Sequence, residues 1–219
     1  FITVPYPSSG HFSNSPVVSQ YVANLFMATR NVIIFAAARE RPTPGERHPW
    51  WLFRNEILSA IPNVTAHSVR DYFRINRHLM DKSVAMLRFV NFTSGQQGMV
   101  AAMEWMRHSV FCLHPPGDTF TRKAFFDSIL SGCIPVLFEV YQAPEVMYPF
   151  SDILDYSQFA VVVPYGMSFF QVLNYYEVNP SVIVNLQNGL KNILKIMQYS
   201  YPITQGHHDD AMDYIVKSI

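Results

Sequence analysis

Hydroxyl-bearing and basic side chains cluster in one short segment, at a predicted boundary between a strand and a helix. The segment, Phe111 to Pro135, reads FCLHPPGDTFTRKAFFDSILSGCIP. A helix that begins at Thr119 would place unpaired backbone amides and the positive end of its dipole just after the Pro-Pro-Gly turn. In open α/β sheets, the N-terminus of such a helix commonly binds a phosphate group. The candidate residues for binding a diphosphate are Gly117, Asp118, Thr119, Thr121, Arg122 and Lys123.

The same residues also have a plain structural interpretation. Asp118 or Thr119 could simply cap the helix, since both types accept hydrogen bonds from orphan amides. Asp127 falls four residues after Lys123, so the two could form a surface ion pair. In the functional interpretation, Asp127 instead accepts hydrogen bonds from ribose hydroxyls, roughly 9 to 12 Å along the helix from the phosphate seat.

Three arginines fall near the end of the first predicted strand. Arg39 and Arg41 follow that strand, Asn31–Ala38, and Arg54 lies on the next predicted helix. Open α/β sheets bind ligands beyond the carboxyl ends of their strands, so a cation there could contact a phosphate group of a ligand. The alternative for each arginine is a solvated side chain. We take Arg39 and Arg54 as candidates for binding the same phosphorylated ligand.

Two further side chains are catalytic candidates. Glu139 ends a predicted strand, where a carboxylate could hydrogen-bond a substrate or act as a base, whereas Glu145 is interpreted as a solvated acid. His11 could face a cleft between domains or be an ordinary surface histidine. The HHDD run at 207–210 is interpreted as helix-start acids, because adjacent helical residues point apart. No Asp-x-Asp pair occurs in the sequence, which argues against a phosphorylated ligand held through a metal on paired carboxylates.

Strand and helix patterns alternate along the chain, which predicts a Rossmann-like, doubly wound parallel sheet in an α/β fold. Short apolar runs predict strands at Asn31–Ala38, Val110–Leu113, Ile134–Val140 and Phe159–Val163. Apolar residues at three- and four-residue spacing predict helices at Trp50–Ile61, Gly98–Arg107, Thr119–Ser131, Ser181–Ser200 and Asp209–Ile219. Between residues 63 and 92 we assign no element beyond a weak strand pattern at Val64–Val69.

The composition bounds the class of protein. The chain has 219 residues, 49% of them hydrophobic, and a formal net charge of zero, so it can bury a core and has no global field to attract nucleic acid. No apolar run approaches the roughly 18 to 20 residues of a membrane span. The opening at Phe1 is interpreted as a cut from a longer protein.

Cys112 and Cys133 would form a bridge if their strands are neighbours, and would otherwise stay buried thiols. Two glycosylation tripeptides, at Asn63 and Asn91, lean towards a secretory setting.

The signature segment, extended to FCLHPPGDTFTRKAFFDSILSGCIPVLF, closely resembles that of the exostosin-type glycosyltransferases, above all the plant branch with the xyloglucan galactosyltransferases. Three other pieces fall in the family's order: ITVPYPSSGHF, IIFAAARERP followed by a helix bearing FRNE, and YPFSDILDYSQFAVVVP. The resemblance covers most of the chain and is weak from about Asn63 to Glu104.

The resemblance implies the C-terminal, donor-binding half of a two-domain GT-B enzyme. The implied organisation is a junction segment at 1–30, a donor-binding domain at 31–175 and C-terminal helices at 176–219. The implied reaction is inverting transfer of galactose or a related sugar from a UDP-sugar to a glycan hydroxyl, with no cofactor required. The family also places an acidic residue at the Asp127 position.

The family further implies a Golgi-lumenal, type II membrane protein anchored outside this sequence, with another glycosyltransferase as a potential partner. Two alternatives stay open. One is a non-catalytic module that binds nucleotide-sugar, and the other is an unrelated phosphate-binding α/β protein.

Overall fold

A parallel β-sheet with helices packed against it forms the core of the chain. The computed structural model describes residues 5, 30, 32–38, 54–57, 85–91, 96–117, 121–139, 148–168, 171–172, 175, 179–194, 196–199 and 210–217. The strands in this part of the chain are β1 (Val32–Ala38), β2 (Ala85–Asn91), β3 (Ser109–Leu113), β4 (Ile134–Phe138) and β5 (Val161–Val163). The longer helices are α1 (Gln96–Arg107), α2 (Lys123–Leu130), α3 (Pro180–Ile193) and α4 (Ala211–Lys217), with a 3-10 turn at Tyr156–Gln158.

All neighbouring strands run parallel, in the order β2-β1-β3-β4-β5. The register pairs Ile34 of β1 with Leu87 on one side and with Phe111 on the other. From β1 the chain moves to β2 on one side, returns to β3 on the other, and then continues outward. The order therefore reverses between β1 and β3, which makes this pair the topological switch point of the sheet. The predicted Rossmann-like parallel sheet is confirmed.

Both faces of the sheet are buried. Side chains alternate between the faces along a strand, and consecutive residues such as Ile34 and Phe35 are at most 1% exposed. Phe35 and Cys112 pack with Met106 of α1. Ile34 and Phe111 belong instead to a larger cluster that includes apolar side chains of α2 and α3. This double burial explains why β1 and β4 are continuous apolar runs without polar alternation.

Two predicted strand boundaries are wrong by two residues. The strand predicted to reach Val140 ends at Phe138, and the strand predicted from Phe159 begins at Val161. At the second boundary, the amides of Phe159 and Ala160 both donate to the Tyr156 carbonyl, at 3.2 and 2.9 Å. The apolar residues before β5 therefore complete the 3-10 turn and do not extend the strand.

Several predicted helix boundaries are also wrong. The helix predicted from Gly98 begins two residues earlier, at Gln96. The helix predicted to reach Ser200 ends at Ile193, because the chain turns there and buries Met197 completely. The final helix, predicted from Asp209, begins at Ala211. Among the described residues, no helix has the length and apolar character to cross a membrane.

Candidate functional site

Several predicted site residues gather at the carboxyl edge of the sheet. The residue after β3, His114, continues the strand ladder, since its amide donates to the Val136 carbonyl at 2.9 Å. Glu139 follows β4 in the same way, and its amide donates to the Val163 carbonyl at 3.0 Å. The connection from β3 to α2 leaves this edge beside the switch point. Open α/β sheets bind their ligands in this position.

The helix after this connection starts later than predicted. α2 begins at Lys123, and its N-cap is Arg122, whose backbone is extended with φ −114° and ψ 157°. The predicted start at Thr119 is therefore wrong, and neither Asp118 nor Thr119 is the N-cap of this helix. The β-branched Thr121, which lies in a bend, has a weak helix propensity. The positive end of the helix dipole lies instead at Arg122 and Lys123.

The Arg122 side chain lies across the Pro-Pro-Gly turn. A Cβ atom at Gly117 would stand 3.0 Å from Arg122 Cδ and 3.3 Å from both Cγ and Nε. The glycine therefore leaves room for the arginine stem. Gly117 is buried and Arg122 is half-buried. Two residues predicted to bind the same ligand are thus in contact at the switch-point edge.

Lys123 and Asp127 form the predicted ion pair on α2. Lys123 Nζ lies 3.3 Å from Oδ1 and 3.2 Å from Oδ2 of Asp127. The expectation of a surface pair is wrong, however, because Asp127 is only 6% exposed. Its turn of the helix packs into the core, so the lysine neutralises a carboxylate with little access to water. Binding of ribose by Asp127 stays a prediction.

A buried histidine connects α2 to the end of β3. His114 Nε2 lies 2.9 Å from Ser128 Oγ, and that hydroxyl donates to the Phe125 carbonyl at 2.7 Å. Because the serine proton is already used, Nε2 is the donor of the first bond. Burial, and then the nearby Arg122 guanidinium, lower the pKa of His114 to about 3. Sequence analysis missed this residue, although a histidine directly after a buried strand was the signal available.

Glu139 lies at the neighbouring strand end with two tyrosines. Its side chain is exposed, and Oε2 accepts a hydrogen bond from the Tyr165 amide at 3.3 Å. Burial, and then the Glu139 carboxylate, raise the pKa of Tyr148 to about 12, so this phenol stays neutral. The Tyr148 ring stacks on Tyr156 at a centroid distance of 4.7 Å. A catalytic role for Glu139 stays a prediction.

Cys112 and Cys133 form a disulfide, with their Cα atoms 5.8 Å apart. α2 ends in a Schellman motif, in which Gly132 has a φ of 65° and donates to the Ile129 carbonyl at 2.9 Å. The Cys133 amide donates to the Ser128 carbonyl at 3.0 Å, which completes the motif. This turn brings Cys133 to the start of β4, beside Cys112 on β3. The bridge therefore joins the two ends of the connection that carries the candidate site.

Arg30 fixes the opposite edge of the same region. Its Nη1 donates to the Ser109 carbonyl at 2.5 Å and to the Met106 carbonyl at 3.2 Å, and Nη2 donates to the Ser131 carbonyl at 3.2 Å. The guanidinium thus neutralises the carboxyl ends of both α1 and α2. Its partners are 76 to 101 positions away, so no local pattern could reveal this role.

The other candidates divide into described and undescribed residues. Thr121 is 8% exposed, and Arg54 is 2% exposed within the helical residues 54–57 of its predicted helix. Donor contacts for both stay predictions. The remaining candidates and discarded alternatives lie outside the described residues: His11, Arg39, Arg41, Asp118, Thr119, Glu145 and residues 207–209.

Asp210 is the described member of the HHDD run, and it caps α4. Its Oδ1 accepts from the amides of Met212 and Asp213, at 2.9 and 3.2 Å. The interpretation of this residue as a helix-start acid is confirmed. Within the described ranges, no three His, Cys, Asp or Glu side chains are grouped to hold a metal ion.

Fold and site together define a Rossmann-like α/β domain with cations at a helix start beside the switch point, the class that binds nucleotides and other phosphates. The family model described as "Exostosin GT47 domain" matches residues 2–167. The chain therefore belongs to the exostosin GT47 family, and the resemblance seen in the sequence is confirmed.

Curated relatives of the chain are plant glycosyltransferases of Arabidopsis thaliana. "Probable xyloglucan galactosyltransferase GT19" is 30% identical over 165 residues, which cover 74% of this chain and 33% of that protein. "Probable xyloglucan galactosyltransferase GT15" is 28% identical over 135 residues, 62% of this chain and 24% of that protein. "Xyloglucan-specific galacturonosyltransferase 1" is 51% identical over 57 residues, 26% and 9% of the two chains. The chain thus spans a third or less of the length of these relatives.

Two solved structures show a loose likeness to the chain. The structure of HepE from Anabaena in complex with UDP has a TM-score of 0.45 and 15% identity, covering 99% of this chain and 57% of that chain. The C-terminal domain of LpcC from Francisella tularensis has a TM-score of 0.41 and 13% identity, covering 90% and 97%.

Proposed function

We propose that this chain is the donor-binding part of an inverting GT-B glycosyltransferase, which moves galactose or a related sugar from a UDP-sugar to a hydroxyl of a glycan acceptor. Family membership supports the class of reaction, since the relatives are named galactosyl- and galacturonosyltransferases. The contact of Arg122 with Gly117 at the switch-point edge carries the proposal for this chain. A guanidinium beside the positive end of a helix is well suited to a diphosphate.

Each candidate has a role in this proposal. The diphosphate lies against Arg122 and Lys123, and Asp127 accepts hydrogen bonds from the ribose. Arg39, which follows β1 in the sequence, and Arg54 help to neutralise the departing diphosphate. The other residues proposed to bind the diphosphate lie just before α2 in the sequence: Gly117, Asp118, Thr119 and Thr121.

The reaction is a single displacement at the anomeric carbon. The acceptor hydroxyl attacks from the face opposite the diphosphate, its proton passes to a base, and the bond to the diphosphate oxygen breaks. Negative charge grows on the departing phosphate, where the cations stabilise it. Glu139 and His11 are the candidates for the base, and the proposal requires no metal.

The setting of the enzyme is part of the same proposal. A disulfide within the site-bearing connection is typical of proteins that fold in an oxidising compartment. This supports a place in the Golgi lumen, with the membrane anchor outside the sequence. The alternative function is a binding module without turnover or a partner subunit of another transferase.

Titration calorimetry with UDP tests the donor site. Wild-type chain is expected to bind UDP, and Arg122→Ala is expected to weaken binding by about 1.5 to 3 kcal/mol, the range for hydrogen bonds to charged groups. Arg107→Ala is the matched control, since that arginine lies at the carboxyl end of α1 and pairs with Glu104. Equal UDP affinity in wild type and Arg122→Ala would contradict the proposal that the diphosphate binds at this edge of the sheet. A second assay measures sugar release from UDP-sugars by the full-length protein. Release is expected of an enzyme and is not expected of a binding module without turnover.

A further inference from the structure

A polar cleft follows the line where α3 meets the 3-10 turn at Tyr156–Gln158. The cleft has a volume of about 420 Å³, within the roughly 300 to 1,000 Å³ typical of ligand pockets. Three asparagines of α3 line it: Asn185, Asn188 and Asn192. They are spaced by three and then four positions, so they lie on one face of the helix and span about 10 Å along it. We call this feature the asparagine cleft.

The turn that forms the other side of the cleft is held in place by its own contacts. A Cβ atom at Gly189 would lie 1.9 Å from the Gln158 carbonyl oxygen, so a residue without a side chain allows α3 to meet the turn here. Gln158 Nε2 donates to Asp155 Oδ2 at 3.2 Å. Asp155 Oδ1 accepts from the amide and the hydroxyl of Ser157, at 3.0 and 2.7 Å. The cleft therefore has a preformed wall facing the asparagines.

The three asparagines carry hydrogen-bonding capacity that the fold does not use. In the part of the chain that the structure describes, no hydrogen bond engages their carboxamides, and all three residues are exposed. Each carboxamide offers two N–H donors and one carbonyl acceptor. Among the described residues that line the cleft, Asp155 is the one ionisable group. The cleft is thus rich in neutral donors and acceptors.

This combination suits a neutral ligand with many hydroxyls. A sugar hydroxyl both donates and accepts, as a carboxamide does, so the two can pair in either sense. Ile153, which also lines the cleft and is 52% exposed, offers an apolar surface to the C–H groups of a sugar ring. A phosphate would find no cation among these lining residues and would be repelled by the Asp155 carboxylate. The cleft therefore does not suit the diphosphate of the donor.

We propose that the asparagine cleft binds a neutral stretch of the acceptor glycan, an inference that rests on the proposed function. The 3-10 turn precedes β5, so the cleft lies away from the carboxyl edge of the sheet, with the length of β5, roughly 10 Å, between them. A polymeric acceptor is long enough to occupy the cleft with sugars remote from its reacting hydroxyl. Binding there raises the effective concentration of the acceptor at the donor site.

Titration calorimetry of the full chain with a xyloglucan oligosaccharide tests the cleft. The double variant Asn188→Ala/Asn192→Ala is expected to bind the oligosaccharide about tenfold more weakly, the effect of losing two hydrogen bonds of typical net strength. It should fold, because alanine favours a helix more than asparagine does, and its UDP affinity should equal that of wild type. Gln187→Ala is the matched control, since it removes a carboxamide of α3 that does not line the cleft.

The proposal is overturned if the wild-type chain does not bind the oligosaccharide, if the double variant keeps wild-type affinity, or if Gln187→Ala loses as much. A parallel loss of UDP binding in the double variant would mark a general structural defect and would also overturn it. Displacement of the oligosaccharide by a neutral Gly-Ser peptide would mark a peptide site instead. If UDP fails to bind while oligosaccharide binding depends on Asn188 and Asn192, the donor proposal fails and the asparagine cleft stands.

Discussion

Arg122 reaches the carboxyl edge of the sheet along the backbone of Gly117, and His114 lies buried next to it. Arg122 and Gly117 were both predicted from the sequence to bind a diphosphate. The sequence could not predict that they touch, because the path of a side chain depends on backbone angles. The extended backbone of Arg122 is the feature that allows the contact.

Gly117→Ala is expected to weaken UDP binding about tenfold, the effect of losing about 1.4 kcal/mol. The added methyl group would crowd Arg122 Cδ at 3.0 Å and displace the guanidinium. In an Arg122→Ala background the same substitution is expected to cost nothing more, because the crowded stem is gone. UDP titration of all four proteins measures this coupling. Losses that simply add would contradict it.

His114 is expected to make stability depend on pH. Its pKa in the folded chain is about 3, below the ordinary value of 6.5, so between these values the unfolded chain binds a proton that the folded chain does not. The free energy of unfolding should therefore fall as the pH decreases from 6.5 towards 3, by up to about 1.4 kcal/mol per pH unit.

Urea unfolding across this pH range measures the effect. His114→Gln should show a shallower dependence on pH than wild type, because the titrating group is gone. His108→Gln is the control at an exposed histidine, whose side chain is 42% accessible, and should keep the wild-type slope. A slope in His114→Gln as steep as in wild type would show that another group is responsible.

Among the elements, those with strong local patterns were predictable. β1 and β3 are continuous apolar runs, and α1 has clear helical spacing. β2 was not predicted, since its sequence AMLRFVN includes Arg88 and Asn91, and the strand is defined by pairing with β1 far along the chain. The late start of α2 was missed because Thr119 looks like a cap, whereas the N-cap is Arg122, whose backbone is extended.

The disulfide between β3 and the start of β4 is expected to stabilise the connection that contains α2. It closes a loop with a sequence separation of 21 that contains the turn and all of α2. Replacing both Cys112 and Cys133 with Ala is expected to lower the free energy of unfolding by about 3 kcal/mol. Urea unfolding with and without reductant measures this. The reductant should destabilise wild type and leave the double variant unchanged, and a wild-type protein indifferent to the reductant would contradict the assignment.

Across the whole molecule, the parallel order of the strands puts every strand end with a proposed role on one edge. The ends of β3 and β4 lead to Arg122 with its turn and to Glu139, in the order in which a donor diphosphate and a transferred sugar would follow one another. The alternation of strands and helices predicted this edge. The sequence could not predict the order of subsites along it, because that order follows from which strands are neighbours.

A crystal structure of the chain with UDP tests the central claim most directly. The account predicts diphosphate oxygens within about 3.2 Å of the Arg122 guanidinium or of the amides at the start of α2, with the ribose towards Asp127. A diphosphate bound at another edge of the sheet, with Arg122 making no contact to it, would contradict the account.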